Sequence, residues 1–357
     1  MKLLVISNMY PSDKDPVYGV FVKNFFDYIE AHNQGGRTEL IAIKGRDKSR
    51  IKNVWNYLKF YTKIFFSCVF RRWDLIYVHT ITFPTVSLRA AFLFRNLPLA
   101  FNIHGSDLIT HSKLAEILKK MCFPLLRRSK LIVVPSMVFK KVLVDEVAQI
   151  EEKNVYVSPS GGVNTQLFVP TVKQEVNTIV LGFVSHIIAM KGWRLFIEAI
   201  DKLRQKGYNV KGIMAGNGSE EKELKEILKT EGFQGVVSYL GGIPQQDLPE
   251  VYNQFDLFVF PTMFCESLGL VGLEAMACGV PVVASNQGGP TEYVKHEVNG
   301  FLFEQGNVDN LVMQIERYIK QNKEEKKQMS DKVRETALNY DSETVLCNLY
   351  NKITSLT

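Results

Sequence analysis

At 357 residues the chain is about twice the usual domain length, so two domains are the default expectation. With 46% hydrophobic and 22% charged residues the composition is that of an ordinary globular protein. No run reaches the roughly 18 apolar residues needed to span a bilayer, and the opening MKLLVISN leads into a strand pattern rather than a signal-type apolar core. The expectation is a cytoplasmic chain that does not span a membrane.

Five cysteines, Cys68, Cys122, Cys265, Cys278 and Cys347, include no C-x-x-C pair, and the six histidines show no metal-ligand spacing. Nothing in the sequence demands a metal or a disulfide framework. The net charge of +6 is uneven: residues 1–170 carry 24 Lys and Arg against 13 Asp and Glu, residues 171–357 carry 19 against 24. The basic first half suits an anionic partner such as a phospholipid surface, a phosphorylated acceptor or nucleic acid.

In chain order, short β-rich runs at 2–7, 39–43, 74–79, 99–103, 130–135 and 154–158 alternate with segments of helical length. The alternation resets after Pro170 across the polar stretch 171–177, and new strands are expected at 178–184, 211–215, 236–240, 256–260 and 281–284. This predicts two doubly wound α/β domains, each a parallel sheet wrapped by helices, with a ligand cleft between them at the carboxyl ends of the strands. The expected division is a first domain over 1–168 and a second over 169–340. A final helix over 341–357, apolar at Val345, Leu346, Leu349 and Ile353 with Ser342 as N-cap, packs on a partner the sequence does not name.

The loop after the first strand lacks G-x-G-x-x-G, which argues against a nicotinamide oxidoreductase. Gly19 there is either a plain loop glycine or a place where an anion approaches the amides of a helix over 20–31. Residues 46–72 interleave eight basic side chains, Arg46, Lys48, Arg50, Lys52, Lys59, Lys63, Arg71 and Arg72, with seven aromatic ones from Trp55 to Phe70. Such a helix suits an anionic membrane surface, or packs its aromatic face on a sheet with its lysines solvated. No RNA-binding motif accompanies the run, and no nucleic-acid partner is expected.

The most informative stretch is FCESLGLVGLEAMACGVPVV, residues 264–283. Glu266 lies in a loop, Glu274 one to two turns inside a helix that ends at Gly279, and the amides near Gly269 and Leu270 make a site for a diphosphate. Two carboxylates would repel that diphosphate, so each is expected to accept from hydroxyls further along the ligand, with a ribose diol and a hexose as the candidates.

The pattern E-S-L-G-L-x-x-L-E-A-M-A-C-G-x-P-V-V-A, with Glu266 and Glu274 as its E-x7-E pair, closely resembles the retaining nucleotide-sugar glycosyltransferases of family four, which have the GT-B fold. Other segments match in order along nearly the whole chain. GFVSHIIAMKG (182–192) resembles the strand and loop whose Arg and Lys hold the donor diphosphate, with Lys191 in place and His186 standing where arginine is usual. AGNGSEEKEL (215–224), bearing Asn217, resembles the G-x-G turn near the nucleobase, GGPTE (288–292) the G-G-x-x-E segment, and SPSGGVN (158–164) the hinge. The 215–224 and 288–292 segments are either ligand contacts or plain turns. NIHGSDL (102–108) resembles the loop whose histidine, here His104, meets the donor sugar. Asp107 either orients His104, binds the acceptor or caps a helix from about Leu108.

The resemblance implies a metal-independent, cofactor-free enzyme that moves a hexose-type sugar, with retention, from a UDP- or GDP-sugar to a glycan or lipid-linked acceptor for cell-surface polysaccharide. It implies His104, Lys191 and Glu266 as catalytic groups and Gly19, His186, Asn217, Ser267, Leu268, Gly269, Leu270 and Glu274 as donor-binding ones. Asp107 is the acceptor candidate. The alternatives are a nucleotide-sugar epimerase or hydrolase of the same fold, or a non-catalytic nucleotide-sugar-binding protein.

Overall fold

The structure is a computed structural model that describes residues 1–357 except 14, 16–17, 46–48, 106, 111, 173–176 and 231. The chain forms two compact units, residues 1–161 with 344–357, and residues 162–343. Part of the expected linker, 173–176, lies outside the described residues, as do Arg46, Lys48 and the side chain of Arg50 from the basic run.

The first unit holds a six-stranded parallel sheet of β1 (Lys2–Tyr10), β2 (Arg37–Lys44), β3 (Leu75–His79), β4 (Leu99–Asn102), β5 (Leu131–Val134) and β6 (Val155–Val157). The spatial order is β2-β1-β3-β4-β5-β6. Between strands run α1 (Val20–His32), α2 (Arg50–Phe70), α3 (Thr85–Phe92), α4 (Lys113–Leu126) and α5 (Met137–Glu146). The central strands are apolar on both faces because helices cover both, as the continuous runs LLVI and LIVV require. On one face Val5, Tyr77 and Val133 pack with Phe25 and Ile29 of α1 and with Leu349 and Ile353 near the C-terminus.

The second unit repeats the theme with β7 (Ile179–Val184), β8 (Val210–Ala215), β9 (Val237–Tyr239), β10 (Leu257–Phe260), β11 (Val282–Ser285) and β12 (Gly300–Phe303). Their order is β12-β11-β10-β7-β8-β9. Its helices are α6 (Trp193–Gln205), α7 (Glu221–Leu228), α8 (Leu248–Tyr252), α9 (Leu270–Ala277), α10 (Pro290–Tyr293), α11 (Val308–Lys320) and α12 (Lys323–Leu338). The eleven expected strands are all present, and β12 adds a twelfth that the sequence reading missed. GFLF is only four residues long and has no alternation to announce it.

The last helix, α13 (Ser342–Thr354), corrects a detail of capping. Asp341 Oδ2, not Ser342, accepts the Glu343 amide at 3.1 Å. Its apolar face, unassigned from sequence, belongs to the first unit's core through Leu349 and Ile353, with Tyr350 Oη donating to the His32 carbonyl at 2.9 Å.

Candidate active site

In each sheet the strand order places a switch point where chain direction around the sheet reverses, between β1 and β3 in the first unit and between β7 and β10 in the second. Ligands of doubly wound folds sit outside the carboxyl ends of the strands at such points.

In the second unit the loops leaving β7 and β10 meet. The Met263 amide donates to the Met190 carbonyl at 2.8 Å. Gly192, at φ 74°, lies so close to Pro261 that a Cβ would stand 1.8 Å from the Pro261 carbonyl oxygen. Only glycine tolerates both the left-handed backbone and that approach. The register thus imposed brings Lys191 Nζ to 2.7 Å from Glu266 Oε2 and 4.6 Å from the centroid of the Phe264 ring. The two side chains are 16% and 14% exposed, so the pair is little screened by solvent yet reachable from it.

Glu220 fixes the β7 loop from outside. Its carboxylate accepts from the Ala189 amide at 2.9 Å and from Trp193 Nε1 at 2.8 Å. Sequence reasoning passed over this acid because it lies in a run of surface-type glutamates. His186, on the same loop, is exposed to solvent. Asn217 is also exposed, with its carbonyl accepting the Ile187 amide at 3.0 Å and its side chain against Gly242.

The opening of α9 completes the arrangement. Ser267 is part-buried, Leu268 and Gly269 are buried, and the helix starts immediately after Gly269. Tyr293 Oη donates to the Gly269 carbonyl at 2.8 Å and so fixes the turn that opens α9, whose first-turn amides around Leu270 form the positive end of the helix dipole. Gly288 and Gly289 press on the backbone of Glu266 to Leu268, and the Gly289 amide donates to the Glu266 carbonyl at 2.8 Å. The GGPTE glycines therefore support the Glu266 loop.

Glu274 is 8% exposed, one turn into α9, and accepts from Tyr252 Oη at 2.9 Å. Burial raises its pKa, opposed by hydrogen bonds from Tyr252 and Gln245. The helix ends as expected at Gly279, whose amide donates to the Met276 carbonyl at 2.9 Å.

In the first unit the site residues gather at the ends of β1, β3 and β4. Gly19, at φ 76°, precedes α1, and a Cβ there would stand 2.7 Å from the Met9 carbonyl carbon, so backbone crowding alone demands glycine. Two residues on, the Phe21 ring lies 4.4 Å from the His104 ring. His104 faces a residue the sequence reading did not select, His79 at the end of β3: His79 Nδ1 and His104 Nε2 are 2.9 Å apart, with the rings 8° from parallel. Its signal was position, a polar residue ending the buried strand LIYVH beside the switch point.

Among the described residues His79 Nε2 has no hydrogen-bond partner. A buried N–H without an acceptor is rarer and costlier than a bare lone pair, so the proton belongs on His79 Nδ1, which donates to His104 Nε2. His104 then carries its own proton on Nδ1. Burial pushes His104 down to about 3 and His79 well below the ordinary imidazole range.

Asp107 departs from one expectation. No helix begins at Leu108; α4 starts at Lys113 behind Ser112, whose hydroxyl accepts the Ala115 amide. Both Asp107 oxygens are taken by backbone amides, those of His104 and Gly105 at 3.0 Å and Ile81 at 3.2 Å. Asp107 thus laces the His104 loop to Ile81, two residues past β3, although burial raises its pKa.

The paired switch-point sheets define a two-domain α/β fold of GT-B type. Anabaena HepE, solved in complex with UDP, superposes with TM-score 0.77 at 21% identity, over 99% of this chain and 100% of that one. The sequence profile described as Glycosyl transferases group 1 matches residues 168–336, and the second unit is a domain of that family. An uncharacterized glycosyltransferase of Methanocaldococcus jannaschii is 34% identical over 137 residues, 38% of this chain and 35% of its own. The GDP-mannose-dependent alpha-(1-6)-phosphatidylinositol monomannoside mannosyltransferase of Mycobacterium tuberculosis is 30% identical over 134 residues, 36% of this chain and 35% of its own. The chain thus matches little more than a third of the length of these two relatives.

Proposed function

We propose that the protein is a retaining glycosyltransferase that moves a hexose-type sugar from a nucleotide-diphosphate donor to a glycan or lipid-linked acceptor, as in building cell-surface polysaccharide. The observation that carries this reading is the Lys191–Glu266 pair beside the start of α9, at the switch point of a domain in the Glycosyl transferases group 1 family. An ammonium and a helix start offer positive charge to a diphosphate, while the carboxylate accepts from hydroxyls of the sugar attached to it. The UDP in HepE and the GDP-mannose dependence of the mycobacterial relative agree with a donor of this class.

In the proposed reaction the bond from the anomeric carbon to the donor phosphate oxygen breaks. The acceptor hydroxyl oxygen bonds to that carbon on the same face, and its proton passes to the departing phosphate. Lys191 and the α9 amides, including those near Leu270, stabilise the charge growing on the diphosphate, so no metal ion is called on. Ser267, Leu268 and Gly269 hold the backbone of that cradle, Glu274 accepts from the ribose, and Asn217 and His186 lie toward the nucleotide. In the first unit His104, oriented by His79, donates from Nδ1 to a sugar hydroxyl, and Gly19 leaves the α1 amides approachable. Asp107 enters through the loop it holds.

The acceptor side is assigned to the first unit, with peripheral contact to an anionic membrane through α2. The face of α2 that packs inward holds Phe60, Ile64 and Cys68, while Ile51, Trp55, Leu58, Phe66 and Phe70 are exposed. Isothermal titration with UDP-, GDP- and ADP-sugars tests the donor reading: one family should bind with release of its affinity on Lys191→Ala. Failure of every donor to bind sinks it.

A further inference from the structure

Between β2 and α2 lies a groove of about 470 Å³ with Lys44, Lys59 and Lys63 at its rim, Asn56 beside them, and Leu40 and Phe60 among its apolar lining. β2 is the edge strand of its sheet, so nothing from the sheet covers this side. Among the described residues none of the three lysines is ion-paired, whereas Arg37 and Arg71 nearby share Glu39. Three unneutralised ammonium groups around an apolar floor fit an anion that carries a hydrocarbon portion.

The rest of α2 says where such an anion comes from. At about 100° per residue, Lys52, Lys59 and Lys63 form a strip between the buried face and a stripe of exposed Ile51, Trp55, Leu58 and Phe66. Trp55 is 58% exposed and Phe70 73%, and the stripe continues onto the turn that follows α3 through Phe94, whose ring centroid lies 5.7 Å from that of Phe65. A soluble anion would use the lysines and leave this apolar surface unexplained. A bilayer uses both, because the large side chains enter the headgroup boundary while the lysines stay at phosphate level.

We propose that the groove between β2 and α2 binds the phosphate headgroup of an anionic membrane lipid, with the α2 stripe lying in the leaflet around it. The inference rests on the peripheral-membrane reading above and sharpens it from a charged surface to a discrete site. The groove is lined by the carboxyl-terminal half of β2, which lies toward the same end of the parallel sheet as His104.

The test is flotation of the full chain with vesicles of phosphatidylcholine alone or with phosphatidic acid. Wild type should float only with the anionic vesicles. K59A/K63A should lower that partition at least tenfold, while K2A/K141A, equal in charge change but remote from the groove, should lower it less than threefold. W55A/L58A should abolish flotation, yet glycerol 3-phosphate should still shift the amide resonances of residues 40–44 in that variant. Circular dichroism confirms that each variant is folded. If wild type floats with neither vesicle, the membrane reading and the site both fall. If it floats but the two lysine doubles behave alike, α2 is a diffuse charged surface and the groove is not a site. If glycerol 3-phosphate binds as tightly as the lipid and W55A/L58A floats normally, the groove serves a free phosphate and the lipid assignment is overturned.

Discussion

The two clusters at the strand ends, His79–His104 in the first unit and Lys191–Glu266 in the second, are built on the same topology and differ in charge. The histidines are held neutral by burial, with the His79 Nδ1 proton directed at His104 Nε2 along a 2.9 Å hydrogen bond. The lysine and glutamate are charged groups at 2.7 Å with one edge open to solvent. A neutral donor suits a sugar hydroxyl, where a fixed charge would demand a counterion. An ammonium suits a diphosphate, which must be bound and then helped to leave, while the carboxylate beside it holds the lysine in place and accepts from a hydroxyl. One fold thus offers two electrostatic environments, set by how deeply the strand-end loops bury their polar groups.

Removing the charged cluster is the harshest way to break this contrast. Lys191→Ala should lower turnover about 100- to 1,000-fold, the scale of losing one preorganised charge-stabilising donor, while Lys191→Arg should recover part of it. Steady-state kinetics with the donor found by titration checks this; an unchanged rate removes Lys191 from the chemistry.

Next in size is the acid sensitivity of the histidine pair. Both folded pKa values lie below the ordinary 6.5, that of His104 at about 3, so in this window the unfolded chain binds more protons. Stability should therefore be full above about pH 6.5 and fall as pH drops toward 3, by up to about 1.4 kcal/mol per pH unit for each histidine. Urea unfolding at several pH values should show a shallower slope for His79→Phe. An identical slope would mean that His79 is not held neutral by its burial.

The smallest effect separates binding from stability at Glu274. Its folded pKa is raised, so its contribution to stability is present at low pH and is lost as pH rises from the ordinary 4.5 through the folded value. Glu274→Gln should then melt higher than wild type at pH 7, with the gap closing near pH 4, and should bind the nucleotide about fivefold more weakly. Equal nucleotide affinity would reject the ribose role.

Much of the candidate site was legible because it is contiguous. Glu266, Gly269, Leu270 and Glu274 fall within one loop and one helix, and their spacing is a local property. What was not legible lies between segments. His79 is 25 residues from His104, and only the parallel pairing of β3 with β4 puts the two strand ends side by side. Glu220 reads as one more surface glutamate until its bonds to Ala189 and Trp193 are seen. Asp107 offered three roles from sequence, and only the fold brings its carboxylate to the backbone amides of Ile81, His104 and Gly105.

The sequence by itself determined the alternation of strands and helices, the two-sheet plan and the E-x7-E segment, because periodicity, glycine positions and short spacings are written along the chain. Tertiary structure alone decided which face of α2 is buried, that Lys191 meets Glu266, and that His79 and His104 lie within hydrogen-bond distance. Those outcomes depend on strand order and register, which join residues through hydrogen bonds and packing across many positions of sequence and leave no local mark.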